Sequence, residues 1–247
     1  MMGLVLYFLA AVFVTSLLSG VMGMLGGYLL ILAFLAVLPV GSAMILHGIV
    51  QGVANGSRFW FLKQHSRWDV MPAVFVGGTV AASVIALTAV VPDAALVMIV
   101  AGSVTLLGES IGKKFRVDVR KPTIGFLCGC VVVVTQIFAG FAGPVLDSFF
   151  RHSSFNRFEV VATKAFIQSI GHLIKIFYYL LATHKIAEEL HPLINPWFML
   201  LAIVVALLGT WVGTKLLNRV SEASFNQWTR VIVVALAIAT IVVTILK

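Results

Sequence analysis

The sequence predicts an all-α integral membrane protein of two repeated halves, each a broken-helix hairpin followed by three transmembrane helices. Hydrophobic residues make up 61% of the 247 residues, whereas soluble domains contain about 45–50%. Charged residues make up only 11% and fall mostly between the apolar segments. Most of these segments are long enough to cross a hydrocarbon core roughly 30 Å thick. They are residues 4–20, 28–38, 43–62, 71–91, 94–112, 122–142, 144–150, 159–182, 197–217 and 223–246.

The net charge of +8 fits a membrane protein whose short cytoplasmic loops are rich in Lys and Arg. No basic patch with interleaved aromatic residues favours nucleic acid as a partner. The charge distribution therefore predicts a protein of the inner (cytoplasmic) membrane, with membrane lipid as a partner. The sequence does not specify an oligomeric state.

Two breaks interrupt the apolar segments, one over residues 19–27 and one over residues 140–144. Glycine weakens a helix, and an interior proline removes a backbone hydrogen bond. Such breaks at bilayer depth are tolerated where they line a cavity or lie buried in protein. A helix that restarts after a break directs free N–H groups and a positive dipole end towards an anion. This interpretation makes Gly26, Gly27, Gly143 and Pro144 candidate binding residues; the alternative is that the glycines only allow close helix packing.

A shift of the sequence by 117 residues superimposes the two breaks and two polar stripes. Both stripes have the spacing i, i+4, i+8, i+11, which defines one face of a helix. The first stripe is His47, Gln51, Asn55 and Arg58, and the second is Lys164, Gln168, His172 and Lys175. The chain is therefore predicted to consist of a first transmembrane repeat (1–112), a basic cytoplasmic linker (113–121) and a second transmembrane repeat (122–247).

The distribution of Lys and Arg predicts the topology. It places loops 63–69, 113–121 and 151–157 inside, so each broken segment enters the membrane and returns to the side it came from. Three full spans follow each hairpin, and an odd number of spans inverts the second half relative to the first. Both termini are then outside. The alternative is that each broken segment crosses once, which gives eight simple spans and parallel halves.

The stripes supply the candidate anion site. Gln51 and Gln168 lie near the middle of their spans, and we expect them to face each other across the pseudo-two-fold axis and donate to an anion. Lys175 and Arg58 add positive charge, although Arg58 could instead snorkel to the inner interface. His47 and His172 could bind an anion or a proton; the alternative is that they are packing residues.

The sequence contains no nucleophile motif, P-loop or metal-ligand cluster. We therefore predict no catalytic residues, no cofactor and no metal, and a protein that is not an enzyme. Active transport without a nucleotide site draws on a gradient or a partner. A secondary transporter and an anion channel of the same architecture both fit these observations, and a membrane enzyme fits them less well.

The glycine-rich first break, the second break at residues 140–144, the basic central linker and the two-half plan resemble the TauE/SafE family of sulfite and organosulfonate exporters. The resemblance covers essentially the whole chain. It implies export of a small sulfur-containing anion, driven by the proton gradient. The triple-glycine run usual in that family appears here only as Gly26-Gly27, and in the second half as Gly143-Pro144.

Overall fold

The computed structural model describes residues 2–22, 25–88, 90–114, 117–185, 190–217 and 222–246. In these ranges it contains α-helices joined by turns and two short 3-10 segments, and no strand, which confirms the predicted all-α class. The helices are α1 (Met2–Met22), α2 (Leu25–Leu35), α3 (Val40–Leu62), α4 (Met71–Thr88), α5 (Ala94–Lys114), α6 (Pro122–Phe138), α7 (Gly143–Phe150), α8 (Arg157–Lys185), α9 (Pro196–Leu217) and α10 (Glu222–Ile245).

Four helical stretches in the described part of the chain are long and apolar enough to cross a membrane. They are Met2–Ser19, Trp68–Thr88, Arg157–His184 and Pro196–Gly213. The described part also contains shorter apolar helices, and the polar stripe of α3 lies largely in the protein interior. The protein is thus a multi-pass membrane protein.

The chain turns back on itself at each break. In the first half, the Tyr7 hydroxyl donates to the Ala33 carbonyl at 3.0 Å, and Gly26 packs against Thr15. Residues early in α1 therefore lie beside residues late in α2. In the second half, the Val119 N–H donates to the Phe149 carbonyl at 3.3 Å, so the start of α6 lies beside the end of α7. In each broken segment the second helix therefore runs back towards the start of the first, and we call each such pair of helices a hairpin.

Helices α3 and α8, which carry the two polar stripes, pack against each other along their length. Successive positions along α3 contact successively earlier positions along α8, so the two helices run antiparallel. The meeting pairs are Gly48 with Ile176, Gly52 with His172, and Gly56 with Ser169. Since the stripes correspond at an offset of 117 residues, equivalent helices of the two halves run antiparallel. Inverted repeats have this relation, whereas parallel halves would place α3 and α8 parallel.

The two halves interlock through their first helices. Helix α1 packs along α9, and α6 packs along α4, so each hairpin lies against the other half. Glycines make these contacts close: a Cβ on Gly209 would lie 2.7 Å from the Phe13 carbonyl oxygen, and one on Gly77 would lie 1.9 Å from that of Phe126. Small residues allow the same close approach in many membrane helix pairs. Side chains from both halves therefore form the core between them.

The loops predicted to be inside meet at one end of the molecule. The Arg67 guanidinium donates to the Glu159 carboxylate at 3.2 Å, and its Cζ atom lies 4.3 Å from the centre of the Phe155 ring. The Arg120 guanidinium donates to the Ser154 hydroxyl at 2.8 Å. The described part of the 113–121 linker therefore lies beside loops 63–69 and 151–157. The membrane side that this end faces is a prediction from charge.

Candidate functional site

The polar stripes of α3 and α8 come together inside the protein. Their side chains are removed from the lipid-facing surface to different degrees. Those of His47, Gln51, Asn55, His172 and Lys175 are buried, and those of Arg58, Lys164 and Gln168 are half-buried. Polar groups at this depth need partners, because hydrocarbon offers none.

A chain of hydrogen bonds joins the two hairpin breaks through the stripes. The Gly27 carbonyl oxygen lies 2.9 Å from His47 Nε2, so Nε2 donates, because a carbonyl can only accept. In a neutral imidazole, His47 Nδ1 then accepts, and Lys175 Nζ lies 2.7 Å from it. Lys175 Nζ also donates to the Gly140 carbonyl oxygen at 2.7 Å. One fully buried lysine side chain therefore lies between the two breaks.

Several hydrogen-bonding groups around Lys175 have no partner among the described residues. An ammonium group has three donors, and the described residues accept two of those of Lys175. The Gln51 Nε2 amide and His172 Nδ1 are buried and have no partner among the described residues. The His172 ring lies 5.6 Å from that of His47. No ion pair in the described ranges includes Lys175, so this first cluster has the donors and the charge to receive an anion.

The repeat generates a second cluster on the other side of the crossing. Here the Arg58 guanidinium donates to the Ser19 carbonyl at 3.2 Å and to the Asn55 side-chain oxygen at 3.5 Å. Lys164 forms an ion pair with Asp147. The second cluster thus differs from the first in holding a carboxylate. Arg58 is directed towards the first hairpin, at the Ser19 carbonyl.

The two glutamines lie on opposite sides of the crossing point. Gln51 precedes Gly52, which meets His172, and Gln168 precedes Ser169, which meets Gly56. At a rise of roughly 1.5 Å per residue, the two are about 8 Å apart along the helix axes. The expectation that the two glutamines face each other across the pseudo-two-fold axis is therefore wrong, because antiparallel packing of α3 on α8 places them at different levels, beside different clusters.

Gln51 lies against the first break, where a Cβ on Gly27 would be 3.4 Å from Gln51 Oε1. The structure places the other break residues as follows. Gly26 contacts α1, where a Cβ would lie 2.1 Å from the Thr15 carbonyl oxygen, so it allows close packing of the hairpin. Gly143 and Pro144 are buried and begin α7. Gly140 has φ +84°, and its carbonyl points to Lys175.

Four contacts of the clusters were not predicted from the stripes. Ser19 and Gly140 contribute main-chain carbonyls, Gln136 donates weakly to the Gln168 carbonyl at 3.5 Å, and Asp147 pairs with Lys164. A signal existed for two of them, because Ser19 and Gln136 correspond at the 117-residue offset and are both polar. Carbonyl direction depends on local backbone angles, which the spacing of residues does not reveal.

A separate, partly open apolar crevice of about 90 Å³ lies between α4, α6 and α8. Its walls include Phe75, Val133 and Ile174, and its one hydroxyl-bearing residue is Thr79. An anion would lose its hydration there without gaining donors, so the crevice does not fit an anion site. Within the described residues, no group of three or more His, Cys, Asp or Glu side chains could hold a metal ion.

The model of one protein family, described as sulfite exporter TauE/SafE, matches residues 7–240 of the chain. No curated protein and no solved structure gives a significant match. The matched region includes both hairpins, both stripes and the linker.

Proposed function

This chain belongs to the TauE/SafE family of membrane transporters for sulfite and related sulfur anions, and from that premise we propose that it is a secondary transporter that exports sulfite or a small sulfonate through the first cluster. The cluster consists of Lys175, His47, Gln51 and His172, between the breaks at Gly27 and Gly140.

The burial of Lys175 is the observation that carries the proposal. Its side chain is 0% exposed, and it contacts an imidazole nitrogen and a carbonyl oxygen rather than a carboxylate. A buried charge is costly unless it is paired. A bound anion would supply the missing negative charge, and its position between two hairpins would let a movement of either hairpin open the site.

The unpartnered donors match the chemistry of a sulfur oxyanion. Sulfite and sulfonate groups each offer three oxygens that accept hydrogen bonds. Lys175 has an unused donor, and the Gln51 amide is buried without a partner among the described residues. One charge with neutral donors supports moderate binding, because it avoids the desolvation of further buried charges. A carrier needs such binding to release its substrate.

Protons are the coupling ion in this proposal, as the family resemblance implies. His47 and His172 lie beside the proposed anion site, and imidazole exchanges protons near neutral pH. An imposed proton gradient should drive sulfite accumulation in vesicles, and a protonophore should abolish the accumulation.

Uptake by proteoliposomes tests the proposal and separates a carrier from an anion channel. Sulfite, sulfoacetate, taurine and sulfate would be compared at equal concentration. A carrier gives saturable uptake that is accelerated by unlabelled substrate on the opposite side, whereas a channel gives uptake without such exchange. Lys63, an exposed cation over the Trp60 ring, provides the matched control, since Lys63→Met should carry sulfite normally and Lys175→Met should not. Equal uptake by both variants would reject the proposed site.

A further inference from the structure

The second cluster contains a carboxylate that the first cluster lacks. Asp147 on α7 forms an ion pair with Lys164 on α8, and the two side chains are 26% and 16% exposed. The repeat offset places Leu30, a fully buried residue of α2, in the position of Asp147. It places His47 in the position of Lys164. The corresponding part of the first cluster therefore has no carboxylate among the residues that the structure describes.

The second cluster also has more positive charge. Arg58 and Lys164 correspond to Lys175 and His47 by the offset, so a Lys–His contact in the first cluster is matched by two cations in the second. Two such cations would hold an oxyanion tightly, because each offers charged donors. Asp147 supplies an oxyanion of the protein itself at this point.

The position of the second cluster suggests when it meets the substrate. Arg58 lies near the end of α3, and Lys164 lies about two turns into α8. Both are thus closer than Lys175 to the end where loops 63–69 and 151–157 meet. That end is predicted to be cytoplasmic, so an exported anion would reach Lys164 before Lys175.

We propose that Asp147 is a tethered competitor of the transported anion. Its carboxylate and the anion bind Lys164 alternately, so that the anion does not remain at Lys164. This inference rests on the proposed function. A cytoplasmic anion displaces the Asp147 carboxylate from Lys164, and the return of the carboxylate then passes the anion on to the first cluster. At Lys175 no described carboxylate competes, so the anion stays until a hairpin moves.

The alternative is an ion pair that only stabilises the packing of α7 on α8. The two interpretations differ in what happens when the carboxylate is neutralised. A tethered competitor, once neutral, leaves Lys164 and Arg58 as a second site that retains the substrate. A packing ion pair, once broken, lowers stability and leaves anion binding unchanged.

Calorimetry with sulfite at fixed pH provides the first test, on purified protein of the full chain. Asp147→Asn should bind a second sulfite ion, or bind the first about tenfold more tightly, since a freed charged donor contributes that much. Asp118→Asn is the matched control, because it removes the carboxylate of another ion pair, with Arg120, at the loop end. Unchanged stoichiometry and affinity in folded Asp147→Asn protein would overturn the inference.

A second measurement gives a result even if Asp147→Asn does not fold. The double variant Asp147→Asn with Lys164→Met removes both charges of the ion pair, which avoids the cost of leaving one of them buried alone. If Lys164 is a stepping point for substrate, sulfite exchange per folded molecule should fall about tenfold or more, as for loss of one charged hydrogen bond. Normal exchange by the double variant would contradict the inference.

Lys175→Met separates the two proposals. If it loses sulfite binding while the Asp147 variants behave like the wild type, only the role of Asp147 is wrong. If Lys175→Met binds sulfite normally, the proposed site is wrong as well.

Discussion

Lys175 and Arg58 occupy corresponding positions of the two halves and perform related tasks. Each donates to a main-chain carbonyl at the break of its own hairpin, at Gly140 and Ser19 respectively. Their shared face could be predicted from the spacing of the stripes. The depth of their burial could not, because it depends on which carbonyls the breaks direct inwards. Lys175 is fully buried and Arg58 is half-buried.

Replacing the two cations should weaken anion binding unequally. Lys175→Ala should have the larger effect, because Lys175 is fully buried beside the unpartnered Gln51 and His172 groups, whereas Arg58 is half-buried. A hydrogen bond to a charged group contributes about 1.5–3 kcal/mol, which corresponds to roughly 10- to 150-fold in affinity. Calorimetry on folded protein measures both variants. Equal loss in both, or no loss in either, would show that burial does not determine the role of these residues.

The glutamines give a second prediction at this scale. Gln51→Leu and Gln168→Leu should each abolish or strongly reduce transport while the protein stays folded, since leucine is close to glutamine in volume. Gln51→Leu removes an amide whose Nε2 has no partner in the described part of the structure. Transport and thermal stability would be measured on the same preparations. A change in stability with normal transport per folded molecule would mean that the amides only join helices.

The hairpins are the elements that determine the site. Their positions could be predicted, because glycines cluster at the first break and glycines with a proline at the second, and the stripes follow each break at the same distance. Helix α2 begins at Leu25, so Gly26 and Gly27 both lie in its first turn. Their different roles could not be predicted from composition. Gly26 is needed for close packing on α1, whereas the Gly27 carbonyl accepts from His47.

Gly140→Ala tests whether the second break must keep its backbone conformation. Gly140 has φ +84°, and left-handed backbone costs a residue with a Cβ about 1–2 kcal/mol. A Cβ would also lie 3.0 Å from Ile31. The carbonyl should therefore turn away from Lys175, and sulfite affinity should fall. Gly3→Ala, at a position with open space, is the control. Wild-type affinity in Gly140→Ala would show that the Gly140 carbonyl does not orient Lys175.

At the scale of the whole molecule, each half depends on the other. Helices α3 and α8 are antiparallel, and each hairpin packs on a helix of the opposite half. The 117-residue offset predicts the halves and their stripes, because both leave marks in residue spacing. The packing of each hairpin on the opposite half could not be predicted, since α1 and α6 pack through small and apolar residues that would suit many partners.

Cysteine labelling tests the predicted topology in intact cells. Ser66→Cys, Asp118→Cys and Ser153→Cys should be shielded from an impermeant thiol reagent added outside, because the three loops share one end and their Lys and Arg place that end inside. Leu190→Cys, in the 183–196 loop predicted to be outside, should react. The background would lack Cys128 and Cys130. Labelling of position 153 from outside would reject the hairpin model.

The most direct test of the account locates the anion itself. Selenite has the shape and charge of sulfite, and its selenium atom can be identified by anomalous scattering in crystals of the protein. Selenium density is expected between the two breaks, with a selenite oxygen within hydrogen-bond distance of Lys175 Nζ and close to Gln51. Density at another place, such as the crevice between α4, α6 and α8, with none beside Lys175 at saturating selenite, would contradict that expectation.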